Sequence, residues 1–191
     1  MNPNLTMLLS TVIVPLLVSG TVIFDFSSPQ DMEEWRIVND GVMGGLSSSE
    51  LLAAGDSSAV FRGVLSLRNN GGFASVRSGI GAYDLSAYEG IELRVLGDGR
   101  RYQLRLRTDS RYDGVAYKYE FKTEKGEWMG VKAPFGEFEA TFRGRVLEDY
   151  RPLDTADIRQ FGFLIGDGME GPFRLEIDSV TAYSTSGVDQ E

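Results

Sequence analysis

The chain has 191 residues, a formal net charge of −9, and neither histidine nor cysteine. Those two absences exclude disulfides, thiolate-held zinc or iron–sulfur sites, thiol nucleophiles and any Ser–His–Asp arrangement. The acidic balance argues against a nucleic-acid partner, since phosphate neutralisation needs a basic surface, and leaves carboxylates, Lys, Tyr or an oxygen-held metal as the routes to catalysis.

Residues 1–20 differ in character from the rest of the chain. From Leu5 to Val18 the chain carries no charge and is apolar or small, broken only by Pro15. That run is shorter than the roughly 20 residues a membrane helix needs, but it suits the apolar core of a secretory signal peptide. Val18-Ser19-Gly20 supplies small residues where a peptidase would cut, although no Lys or Arg precedes the run. The reading is an exported, periplasmic or secreted protein of bacterial type, whose membrane contact is limited to an uncleaved leader. The alternative is a cytoplasmic protein in which the segment is a leading strand. The Arg-rich amphipathic pattern of a mitochondrial transit peptide is missing.

Beyond Gly20, short alternating runs and glycine-rich turns predict one all-β domain over residues 21–184, followed by a polar tail over 185–191. Strands are expected at Thr21–Phe26, Val60–Leu67, Ile91–Leu96, Tyr102–Thr108, Val115–Phe121, Trp128–Val131, Phe138–Phe142, Ile158–Ile165 and Phe173–Tyr183. Gly97-Asp98-Gly99, between two alternating runs, reads as a hairpin turn. In the last strand the apolar positions Phe173, Leu175 and Ile177 shift phase to Val180 and Ala182, which predicts a bulge near Ser179. Helix is scarce: one turn within Ser28–Trp35, and Thr155 as the N-cap of a short entry at Thr155–Gln160. The architecture expected is a β-sandwich or jelly roll.

Two glycine-dense segments stand out, W-x-x-V-N-D-G-V-M-G-G-x-S beginning at Trp35 and N-N-G-G-F-A-S-V-R beginning at Asn69. The first has no Lys-Ser/Thr ending and opens no helix, so a phosphate-cradling loop is not the favoured reading. Glycines at positive φ in an ordered loop, with Asp40 capping the freed N–H groups, account for it better. Together with Gly97–Tyr102, Phe142–Arg145 and Gly171–Ile177, these segments resemble the complex I intermediate-associated protein 30 family, from Trp35 through Tyr183. The resemblance implies a jelly-roll β-sandwich of the galactose-binding-like, carbohydrate-binding-module type. It also implies a non-catalytic, chaperone-like role in protein-complex assembly, with a respiratory-complex subunit or assembly intermediate as partner.

Candidate binding residues are Trp35, Asp40, Met43, Arg77, Arg94, Arg105, Arg107, Tyr112 and Trp128. The arginines share an outward phase and, with a tryptophan nearby, would form a platform for acidic or planar groups of a protein partner. The alternative is cross-strand pairing of the arginines with Glu92, Glu120 and Glu176. Exposed aromatics stacking on sugar rings keep a glycan ligand open, and a carboxylate-based hydrolase is the second alternative; no carboxylate pair is singled out. Asp25 and Asp178, in the first and last strands, offer two oxygen ligands to a structural Ca²⁺; no other cofactor is expected.

Overall fold

The computed structural model describes residues 18–185 apart from Asp56 and Tyr112. The apolar leader up to residue 17, the candidate Tyr112 and the tail from residue 186 lie outside the described residues.

In chain order the strands are β1 (Val18–Phe24), β2 (Arg36–Ile37), β3 (Ser48–Ala54), β4 (Ser58–Leu65), β5 (Ala74–Arg77), β6 (Gly90–Leu96) and β7 (Arg101–Arg107). They continue with β8 (Ala116–Lys122), β9 (Trp128–Pro134), β10 (Glu139–Phe142), β11 (Arg145–Val146), β12 (Gln160–Ile165) and β13 (Gly171–Thr185). One short helix, α1 (Pro29–Glu33), falls inside the segment expected to make a single turn. The strands form two antiparallel sheets. In the six-stranded sheet the order is β3-β4-β13-β6-β9, and β1 also pairs with β13, beyond the stretch that β4 occupies. The seven-stranded sheet runs β11-β10-β8-β7-β12-β5-β2.

Period-two alternation explains why these runs become strands and which way each faces. Ile91, Leu93 and Val95 of β6 and Leu175 and Ile177 of β13 point inward from one sheet. Tyr102, Leu104 and Leu106 of β7 and Phe161, Phe163 and Ile165 of β12 point inward from the other, and all are buried in one common core. Each such side chain contributes roughly 1.5–3 kcal/mol through removal from water. The phase slip of the last strand is real: its pairing with β6 shifts register between Ile177 and Ser179.

The hairpin expected at Gly97-Asp98-Gly99 does not form. β6 and β7 belong to opposite sheets, and their apolar faces meet across the core instead of lying side by side. Asp98 turns the corner: its carboxylate accepts from the Arg100 N–H at 3.1 Å, the Tyr102 hydroxyl at 3.0 Å and the Arg174 N–H at 2.8 Å. The dipeptide signalled a left-handed residue, present as Gly99 at φ 91°, but that requirement is common to hairpins and to inter-sheet corners. Arg100 seals the corner from within. Its guanidinium grips the buried Asp167 carboxylate through two bonds of 3.0 and 2.6 Å and donates to the Pro172 carbonyl at 2.9 Å. Burial works against the Asp167 charge, yet these bonds and the Met169 N–H hold its carboxyl below the ordinary value.

A second local correction concerns the capping residue before β12. Asp154, not Thr155, accepts from the Ala156 N–H and caps the short turn at Thr155–Asp157.

Candidate binding site

Strand registers place the loops 38–47, 66–73, 97–100 and 166–170 at one end of the sandwich, where Ser48 pairs with Val64, Gly171 with Leu65, and Ile165 with both Ala74 and Tyr102. Asp40 is the hub of that end. It is fully buried, and its carboxylate accepts from the Gly72 N–H at 2.7 Å, the Phe73 N–H at 3.3 Å, the Ser47 N–H at 3.0 Å and the Ser47 hydroxyl at 2.5 Å. Burial pushes the Asp40 pKa up, but the four hydrogen bonds together outweigh it and the carboxyl titrates below its ordinary value. Asn39 acts in parallel, its amide oxygen accepting from the Ser49 hydroxyl at 2.8 Å and the Ser75 N–H at 3.2 Å. The two glycine-dense segments are therefore two halves of one structure, wrapped around a single carboxylate.

The glycines follow from this geometry. A Cβ on Gly71 would come within 2.6 Å of an Asp40 carboxylate oxygen. Gly44 closes the turn after Met43 at φ 87°, and Asn69 and Asn70 hold left-handed backbone at φ 55° and 58°. What the frame presents outward is apolar: Val42 is 67% exposed and Met43 60%, with Leu46 beside them in the loop. Leu67 and Met169, on the adjoining loops, are exposed as well. The Ser47 hydroxyl reaches the Ser66 carbonyl, and the Ser66 hydroxyl reaches Glu170, so these loops are tied together by hydrogen bonds.

The expected arginine–tryptophan platform separates into parts. Trp35 is in the core, 6% exposed, stacked on Phe163 at 6.0 Å and edge-on to Phe24 at 5.2 Å. Trp128 and Arg94 lie on the six-stranded sheet, the guanidinium 5.4 Å from the indole centre, and Arg94 also faces Asp178 at 3.6 Å. Arg77, Arg105 and Arg107 lie on the other sheet. There the registers line up Arg36, Arg77, Gly162, Arg105 and Lys118 in one cross-strand row ending at Glu139. Arg107, largely buried, donates to the Gly114 carbonyl at 2.6 Å. Glu120 and Glu176, expected to pair across strands with the candidate arginines, are matched by other residues: Glu120 by Arg101 at 3.4 Å and Glu176 by Arg174 of its own strand at 2.7 Å. Asp25 accepts from Ser27, and neither Asp25 nor Asp178 joins a group of three or more metal-ligating side chains among the described residues.

Sequence reasoning missed Ser47, Gly72 and Phe73 as the partners of Asp40, Val42 and Leu46 beside Met43, and Arg36, Lys118 and Gly162 in the row. Lys118 had a readable signal, as the outward residue between Tyr117 and Tyr119. Gly72 and Phe73 had none, being contacts with Asp40 across more than 30 residues, whereas Ser47 lies seven residues on, within the same glycine-dense segment.

Two antiparallel sheets closed in this way make a jelly-roll sandwich of the galactose-binding-like type. The chain is similar to the Family 11 carbohydrate-binding module from Clostridium thermocellum, solved with a beta-1,3-1,4-mixed-linked tetrasaccharide, at a TM-score of 0.65 and 14% identity over 87% of this chain and 96% of that one. At that identity the likeness carries the fold alone. Residues 24–177 match the profile of the Complex I intermediate-associated protein 30 family, and the chain belongs to that family. It is 30% identical to Complex I intermediate-associated protein 30, mitochondrial, of Mus musculus, over 92% of this chain and 60% of that protein. The Drosophila melanogaster protein of the same name is 29% identical over 83% of this chain and 61% of its own length. The chain thus spans about 60% of the length of these relatives. Their mitochondrial location overturns the expectation of an exported, bacterial-type protein. Val18-Ser19-Gly20, read as a cleavage segment, lies in β1 and pairs with Thr185, Ser184 and Tyr183 of β13.

Proposed function

We propose that this chain is a non-catalytic protein-binding domain that takes part in assembling a respiratory complex, and that the loop carrying Val42, Met43 and Leu46 is its principal contact. The observation that carries this reading is a rigid frame around a buried carboxylate that spends its order on holding apolar side chains in water. A loop fixed in advance loses little conformational freedom on docking, and exposed apolar residues on an ordered surface suit a partner with a complementary apolar groove. Family membership directs the search for that partner to subunits and intermediates of complex I.

The test is co-purification of the tagged chain with complex I assembly intermediates from mitochondria, read by immunoblot for named complex I subunits. The expected result is recovery by the wild-type chain and at least tenfold less by the double variant V42D/M43D, with thermal unfolding of the two chains alike. Absence of complex I subunits above a tag-only control would refute the reading. A glycan array supplies the contrast: a saturable sugar hit, lost on replacing an exposed aromatic, would favour the carbohydrate-binding alternative.

A further inference from the structure

An open sheet ends in edge strands whose outer backbone groups can pair with another chain, and proteins ordinarily blunt them. Here β2 and β11 are only two residues long, β1 shifts register between Val22 and Phe24, and β3 carries Glu50 and packs against α1. β9 has none of these devices over Trp128–Val131. It pairs with β6 on one side and, among the described residues, with no strand on the other. Its register is unbroken from Leu96↔Trp128 to Gly90↔Pro134. Trp128-Met129-Gly130-Val131 carries no charge, in a chain whose net charge is −9.

The hydrogen-bond pattern fixes which backbone groups face the open side. The Phe135 N–H donates to the Glu89 carbonyl at 2.9 Å, which makes Gly90 and Pro134 a non-hydrogen-bonded pair. Alternation along the ladder then turns the polar groups of Met129, Val131 and Ala133 toward β6 and those of Trp128, Gly130 and Lys132 outward. Pro134, also outward, has no N–H to leave unpaired. Gly130 sits at the middle of this edge, exposed and without a side chain to hinder an approaching strand.

We propose that β9 pairs antiparallel with β9 of a second copy of this chain, Gly130 against Gly130, joining two six-stranded sheets into one. That register is self-complementary. Every outward-facing backbone group meets another: Gly130 with Gly130, and Trp128 of each copy with Lys132 of the other. On the core side Met129, packed at the margin of the core, falls opposite Val131 of the second copy, which extends both apolar interiors across the seam. On the outer side each Lys132 keeps Glu92 of its own copy opposite and lays its aliphatic stem beside the exposed indole of the other copy. No like charges are directly opposed between the two strands, and the two-fold relation closes the assembly as a dimer. The interface lies across β4, β13 and β6 from β3 and stands independently of the apolar loop that precedes that strand.

Sedimentation equilibrium of the full chain tests the association, and single cysteines introduced into this cysteine-free sequence test the register. Wild type is expected to dimerise with a micromolar Kd. G130P, which deletes the central outward N–H and leaves the bonds to β6 in place, is expected to weaken it at least tenfold. Under mild oxidation G130C should form a disulfide-linked dimer, because directly opposed residues of a hydrogen-bonded pair stand about 5.5 Å apart. A Cβ at Gly130 meets nothing closer than a Glu92 carboxylate oxygen at 3.7 Å, so the fold accepts that substitution. W128C alone should not cross-link, its two copies lying four residues apart, roughly 13 Å, whereas W128C mixed with K132C should. A wild-type chain that stays monomeric up to millimolar concentration overturns the proposal. So does cross-linking of G130C no greater than that of R62C on the outer face of β4.

Discussion

Gly45 and Asp40 are fitted to one another: a Cβ on Gly45 would sit 2.3 Å from the Asp40 carboxyl carbon, inside any permissible contact. Gly41, four residues away in the same loop, has nothing within 4 Å of its notional Cβ. Replacing Gly45 by Ala is therefore expected to destabilise the protein by about 2–3 kcal/mol, because the buried carboxylate must move off its donors. Gly41→Ala should change stability by no more than about 0.5 kcal/mol. Urea unfolding of the two variants checks the contrast.

The carboxylate itself makes a pH-dependent contribution. Because folding lowers the Asp40 pKa from 3.8, its charge stabilises the native state above that value, and the contribution disappears as pH falls through the lower native pKa. Asp40→Asn is expected to cost about 2–4 kcal/mol at pH 7, through donors left without an acceptor. The gap in Tm between wild type and Asp40→Asn should hold steady from pH 7 to 5 and narrow below about pH 4. Thermal melts across that range measure it; a gap that widened in acid would contradict the assignment.

Arg100 and Asp167 make the buried ion pair at the corner where the chain changes sheets. Arg100→Met strands the Asp167 carboxylate and is expected to cost about 3–5 kcal/mol. Adding Asp167→Leu should recover part of that loss, since a buried pair replaced by apolar residues approaches neutrality. A double-mutant cycle in urea gives the coupling.

How much of the fold is legible in the sequence depends on the range of the interaction. Strands such as β7 and β8 are legible because alternation is local: Tyr102, Leu104 and Leu106 announce a buried face without knowledge of what covers it. The bulge before Ser179 is legible for the same reason, as one residue out of phase. The sheet switch at Asp98 is not, because Asp-Gly reports a backbone angle and leaves open which sheet the next strand joins. Trp35 went to the core for a related reason. Its neighbours on β2 are exposed, and its burial comes from Phe24 and Phe163, distant in sequence. Asp40 is recognisable as a capping residue within its own loop, but its bonds to Gly72 and Phe73 depend on the chain returning to that spot. Pairing within a strand is written in spacing; pairing between loops is written only in the assembled fold.

The central claim is that Val42 and Met43, held out by the Asp40 frame, are what a complex I assembly partner grips. The most direct measurement is the dissociation constant of the purified chain for an isolated complex I assembly intermediate, by surface-immobilised binding, for wild type, Met43→Asp and the distant control Arg62→Gln. A Kd at least tenfold weaker for Met43→Asp, with Arg62→Gln within twofold of wild type, is the predicted result. Equal affinities for wild type and Met43→Asp, with both chains folded, would contradict it.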